Sequence, residues 1–134
     1  MKEDIRYIQR FENFEKSFLL LEQSLLIEEP SVTEKAGVIQ FFEITFELSW
    51  KLMKDYLSYM GYDVKSPRET IKIAYSIELI DEGSLWLDAL MDRNATVHIY
   101  DQEQSDAIYC MIKEQYFQLL QNLYEKFKGL SCLD

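Results

Sequence analysis

The segment Arg93-Asn94-Ala95-Thr96-Val97-His98-Ile99-Tyr100 places a guanidinium, an amide, an imidazole and a phenol within a short stretch of chain. His98 is the sole histidine, and an imidazole takes up and releases a proton near neutral pH. A guanidinium is always charged and stabilises negative charge developing on phosphoryl oxygens. Together they make a workable site for phosphodiester cleavage without a metal. His98 would act as general base or acid, Arg93 would hold the phosphoryl oxygens and Asn94 would orient the scissile phosphate. Tyr100 would donate a hydrogen bond or accept a modification. By residue type alone, such a pair more often serves as a surface ion pair or a helix cap, so geometry has to decide.

Spacing constrains that geometry. Five residues along a regular helix rotate a side chain by about 140°, so Arg93 and His98 cannot converge on one small ligand from an unbroken helix. Either the helix ends between them, as the capping-box-like start Asp101-Gln102-Glu103-Gln104 signals, or two subunits each supply a pair across a symmetric interface. Asp88 and Asp92 lie four apart but are too few for a metal site, and they read as solvated or paired with Arg93. The sequence calls for no metal and no cofactor.

The elements that position this segment follow from composition and periodicity. At 134 residues the chain is expected to form one domain, 1–134, with a core from about residue 4 to 128. It is 48% hydrophobic and 28% charged, has 4 Gly and 2 Pro, and shows no alternating β-branched runs. These features predict an all-α antiparallel up-and-down bundle of four main helices plus a short one. Tyr7, Phe11, Phe14, Phe18, Leu21 and Leu25 mark one face of a first helix from about Asp4 to Ile27. Glu28-Glu29-Pro30-Ser31 breaks it, and a second helix is expected from about Thr33 to Met60, ended by Gly61. On that second helix Gln40, Glu43, Glu47, Lys51, Lys54 and Ser58 form one narrow polar stripe, and most of the remaining circumference is apolar. A central bundle helix is the first explanation of that width, and a shared subunit interface is the alternative. Glu43, Glu47 and Lys51 are either the solvent face, with Glu47 and Lys51 as a helix-stabilising pair, or the lining of a cleft that holds Arg93 and His98.

Ser66-Pro67-Arg68-Glu69 predicts a capped short third helix to about Leu79. A fourth should run from Ser84 to about Thr96, with Leu85, Leu87, Leu90 and Met91 for the core. The fifth carries Ile108, Ile112, Tyr116, Leu119, Leu120, Leu123 and Phe127 to Gly129, and Leu130 to Asp134 is expected to fray. Trp50 and Trp86 read as core.

A net charge of −10 repels phosphate backbones and anionic lipid, so RNA binding would need a locally basic site or a basic partner. Cys110 and Cys132 match no metal spacing and form no disulfide framework. The acidic start Met1-Lys2-Glu3-Asp4 is too polar for a signal peptide and no long apolar run exists, which makes the cytoplasm the default and a membrane role unexpected.

Arg93 to Tyr100 resembles the Arg-x4-His-x-Tyr motif of the HEPN superfamily, including the polar residue after the arginine. The rest of the chain is similar to its nucleotidyltransferase substrate-binding branch. The matching pieces are Arg10-Phe11-Glu12-Asn13-Phe14, Phe42 to Lys51, Gly61-Tyr62, Ser66-Pro67-Arg68 and Trp86 to Asn94. The resemblance implies a usually dimeric bundle that partners a separately encoded minimal nucleotidyltransferase in a toxin–antitoxin-like pair. By position it makes Tyr100 the residue that is adenylylated, and Arg93 and His98 a catalytic pair that cleaves RNA at a dimer interface. The older reading for this branch is a subunit that binds substrate for its partner, and both readings stay open. The chain itself has no Gly-Ser followed by spaced aspartates that could hold Mg²⁺, so nucleotidyl transfer would belong to the partner.

Overall fold

The computed structural model describes residues 2–132, and side chains from 6 to 130. Helices α1 (Lys2–Leu25) and α2 (Val32–Tyr59) form a long antiparallel hairpin, followed by the short α3 (Pro67–Ser76) and α4 (Gly83–Ala95). A single 3-10 turn, Thr96–His98, follows α4. Then α5 (Gln102–Met111), a π-helical turn (Ile112–Tyr116) and α6 (Phe117–Cys132) succeed one another without a break. This is an all-helical bundle, as the periodicity predicts. Among the described residues no helix is long and apolar enough to cross a membrane.

The faces read from the sequence meet in one core. Phe11, Phe14, Phe18 and Leu21 of α1 are buried with Phe42, Phe46, Leu52, Met53 and Leu57 of α2, and with Ile112, Tyr116, Leu119, Leu120, Leu123 and Phe127 of the last helices. Trp86 is buried in the first turn of α4, its ring 5.7 Å from Phe46. Trp50 is only partly buried and serves a polar role described below. Met91 is a correction: it is 60% exposed and lies outside the core, because its position on α4 faces away from α2.

The α1–α2 hairpin is also pinned by polar groups inside it. Ser17 and Thr45 share a 2.5 Å hydrogen bond, and Arg10 Nε donates to the buried Asp55 at 2.9 Å. These pairs satisfy groups that would otherwise be costly to bury.

Helix ends show where local signals suffice. Gly61 takes φ +100 after α2, and the Tyr62 N–H reaches the Leu57 carbonyl, the left-handed stop expected of glycine there. Helix α3 stops by the same device, with the Leu79 N–H on the Ala74 carbonyl, but the left-handed residue is Glu78 at φ 63. Glutamate gives no stop signal, so the sequence reading carries this helix on to Leu79, beyond its end at Ser76. Glu82 is likewise left-handed and precedes α4, while the neighbouring Gly83 is needed for space: a Cβ there would lie 3.0 Å from the Tyr75 ring. Helix α1 ends at Leu25, short of Ile27. Helix α6 continues through Leu130 to Cys132, where the sequence predicts fraying; residues 133 and 134 lie outside the described range.

Candidate functional site

Helix α4 ends at Ala95, between Arg93 and His98, as the spacing requires. Its last turn is closed by the Thr96 hydroxyl, which donates to the Arg93 carbonyl at 2.7 Å, and the chain tightens into the 3-10 turn that ends at His98. The next helix starts where the sequence places it. The Asp101 side chain accepts the Gln104 N–H at 2.8 Å. The return bond differs from a standard capping box: Gln104 Oε1 accepts the backbone N–H of Tyr100, not that of Asp101. Gln104 therefore fixes the backbone of an exposed residue of the motif.

Arg93 is held from α2. Its Nη2 donates to Glu47 Oε2 at 2.6 Å, and its Nη1 to Asn94 Oδ1 at 3.2 Å. Glu47 is in turn gripped by Trp50 Nε1 at 3.0 Å and Lys51 Nζ at 3.2 Å. Partial burial alone would raise the Glu47 carboxyl. The hydrogen bonds from Trp50 and Lys51 and the charges of Arg93 and Lys51 outweigh it and hold the group below its ordinary 4.5. Glu43, Glu47 and Arg93 border a shallow groove of about 280 Å³ with Ile44 and Leu48. Of the stripe residues offered as cleft lining, Glu43 and Glu47 thus border the Arg93 groove, and Lys51 supports it through Glu47.

His98 lies in a different pocket, of about 490 Å³, shared with Asp92 and Gln104 between the end of α4 and α5. It is exposed, and its Nδ1 is 3.4 Å from the Tyr100 hydroxyl. Tyr100 is 81% exposed. Among the described residues, no hydrogen bond of Arg93 reaches His98. The helix break alone does not unite the pair within one chain.

Three parts of this arrangement are absent from the sequence reading. Asp92 does not pair with Arg93; it accepts a short hydrogen bond from the Tyr116 hydroxyl. Burial first, and then this bond to a carboxylate, push the Tyr116 phenol well above its ordinary range. Tyr116 ends the π-helical turn and stacks on Phe42 at 5.6 Å, so the core aromatic of the last helix also anchors the turn that carries Arg93. The Trp50–Glu47 bond is the second missed part, legible in principle from their three-residue spacing on a helix. The Gln104–Tyr100 cap is the third. Asp88 is exposed, and no group of three or more His, Cys, Asp or Glu side chains among the described residues is arranged to hold a metal. Cys110 is a free, exposed thiol.

A helical bundle in which Arg-x4-His-x-Tyr spans the end of the fourth helix and the turn after it is a HEPN-type protein. Residues 9–129 match the family model described as "Nucleotidyltransferase substrate binding protein like", and the chain belongs to that family. It is similar to a Haemophilus influenzae protein named probable ribonuclease HepT, 33% identical over 94 residues. That match spans 64% of this chain and 64% of the relative's length. Among solved structures, one from Thermus thermophilus is 32% identical with a TM-score of 0.78, covering 84% of this chain and 97% of that one. Another, from Haemophilus influenzae, is described as revealing the fold of a substrate binding domain of a nucleotidyltransferase. It is 29% identical with a TM-score of 0.79, covering 88% of this chain and 98% of that one. The fold of this chain is that of a nucleotidyltransferase substrate-binding domain.

The Glu47 tether has a pH signature. Its folded-state carboxyl is depressed, so the stability it contributes is present above about pH 4.5 and is lost as pH falls through the lowered folded value. Urea unfolding of the native chain and of Glu47→Gln should therefore differ most at neutral pH, with the gap closing as pH falls through the acid range below 4.5. A gap that stays constant across that range would contradict the tether.

Proposed function

We propose that this chain is the partner subunit of a separately encoded minimal nucleotidyltransferase, in a toxin–antitoxin-like pair, and that it presents Tyr100 as acceptor of a nucleotidyl group. The observation that carries this reading is the placement of the Tyr100 hydroxyl, on an 81% exposed side chain and 3.4 Å from His98 Nδ1. A phenol needs to shed its proton to attack phosphorus, and a neighbouring imidazole nitrogen is a suitable acceptor. The partner would bind the nucleoside triphosphate. The Tyr100 oxygen attacks the α-phosphorus, the new O–P bond forms as the bond to pyrophosphate breaks, and the phenolic proton passes to His98 Nδ1. Gln104 keeps the Tyr100 backbone in place for that approach.

The second reading is a metal-independent endoribonuclease that uses Arg93 and His98, with Asn94 beside the phosphate, and it is supported by the similarity to a protein named as a probable ribonuclease. In this reading two copies are required. Within one chain Arg93 faces α2 while His98 faces α5, and a two-fold pairing of this end would bring the arginine of one copy towards the histidine of the other. Ile44, Met91 and Val97 are exposed around the site, and an isologous interface would cover them. Nucleotidylation of Tyr100 would then place a bulky anion beside His98 and silence the site.

Incubation with the co-expressed nucleotidyltransferase and radiolabelled nucleoside triphosphates should label the native chain, and peptide mapping should place the adduct on Tyr100. Tyr100→Phe should take up no label. Label on any other residue, or no stable complex with the partner, would remove this reading. For the ribonuclease, single-stranded RNA should be cut in the presence of a chelator, with a loss of about 10²-fold or more in Arg93→Ala and in His98→Ala. RNA left intact under all conditions would count against it.

A further inference from the structure

The pocket beside His98 has walls of Ala95, Ile99, Ile108 and Met111, and two polar side chains, Asp92 and Gln104, each with a carboxylate oxygen or amide NH₂ that the chemistry above does not use. We propose that it binds an unpaired guanine base of an RNA strand whose ribose and phosphate lie across His98. The proposal rests on the ribonuclease reading.

The chain carries a net charge of −10, so beyond the contact Arg93 would make, the phosphate backbone supplies little of its RNA affinity. Affinity must then come from bases, and unpaired bases are bound by stacking in apolar slots and by hydrogen bonds to their Watson–Crick edges. Four apolar side chains supply such a slot, and at about 490 Å³ it is large enough for one base and its sugar. Met111 offers a polarisable thioether to an aromatic face.

The polar groups select among bases. Gln104 spends its carbonyl oxygen on the Tyr100 N–H, which leaves its amide NH₂ to donate. Asp92 accepts from Tyr116 on one oxygen, which leaves lone pairs on the other to accept. The pocket thus offers a donor and an anionic acceptor. Guanine presents the complement: adjacent N–H donors at N1 and N2 for the carboxylate, and the O6 acceptor for the amide. Adenine and cytosine would turn a ring-nitrogen lone pair towards Asp92, which repels it, and uracil offers a single donor between two carbonyls.

The test uses the full-length Arg93→Ala chain, which keeps every pocket side chain, and fluorescein-labelled five-nucleotide oligouridines with guanine, adenine or cytosine at the centre. Anisotropy titrations should show the guanine oligomer binding about tenfold or more tighter than the others, the range of a good bidentate base contact. A log–log salt slope shallower than about −1 should accompany it, fewer than two phosphates' worth. Asp92→Asn should abolish the preference. Ala107→Leu, which fills the pocket from α5, should weaken guanine binding to the level of the adenine and cytosine oligomers, with helix content unchanged by circular dichroism. Guanine-selective binding upholds the pocket even if the native chain leaves RNA intact, in which case the ribonuclease reading alone falls. Equal affinity for all oligomers, absence of binding, or selectivity that survives Ala107→Leu overturns it.

Discussion

Helix α2 touches every other helix of the bundle, so each polar side chain it turns inward must be answered by a neighbour or left costly and unpaired. Thr45 is answered by Ser17, Asp55 by Arg10 and Glu47 by Arg93. The first two lock the α1–α2 hairpin. The third ties the end of α4 to the centre of the molecule and fixes the direction in which Arg93 faces. Exposed ion pairs contribute little to stability, typically ~0–1 kcal/mol. The Glu47–Arg93 contact is partly buried and doubly supported by Trp50 and Lys51, and its importance lies in orientation.

From that constraint the rest of the site follows. With Arg93 drawn towards α2, the helix has to end before His98 for the imidazole to reach the α5 side, and Thr96 and the 3-10 turn end it. Asp92, one residue before Arg93, is taken by Tyr116 from the π-helical turn. A π turn inserts an extra residue into a helix and re-aims the side chains at its end, and such turns recur at functional sites. Here the re-aimed residue links the packed core to the last turn of α4. Two adjacent residues, Asp92 and Arg93, are thus clamped from opposite sides, while His98 and Tyr100 project from a short exposed connection. Rigid anchoring beside an exposed tyrosine suits the presenting role proposed above.

Much of this is legible in the sequence. The faces of α1 and of the last helices can be read because their apolar residues recur at helical spacing over many turns, and Gly61 and the Ser66-Pro67 and Asp101 caps can be read because their chemistry is local. The break between Arg93 and His98 follows from helix geometry alone. The failures have physical causes too. Glu78 stops α3 in a left-handed conformation that glutamate does not advertise, and Met91 falls on the outer side of α4 because that short helix meets α2 along a narrow strip. Proximity alone pairs Asp92 with Arg93, but its partner Tyr116 is 24 residues away and only folding brings them together. The stripe of Glu43, Glu47 and Lys51 has two possible uses, and long-range packing separates them: Glu43 and Glu47 border the Arg93 groove, while His98 lies elsewhere.

In the ribonuclease reading proposed above, one chain holds the two halves of the site apart and a second copy completes it. Sedimentation equilibrium at micromolar concentrations tests this most directly, with Ile44→Asp as a variant that places a charge on the exposed apolar rim. The expected result is twice the 16.0 kDa mass of the chain for the native protein, and the single-chain mass for a folded Ile44→Asp variant. A native protein that stays at the single-chain mass throughout would contradict it.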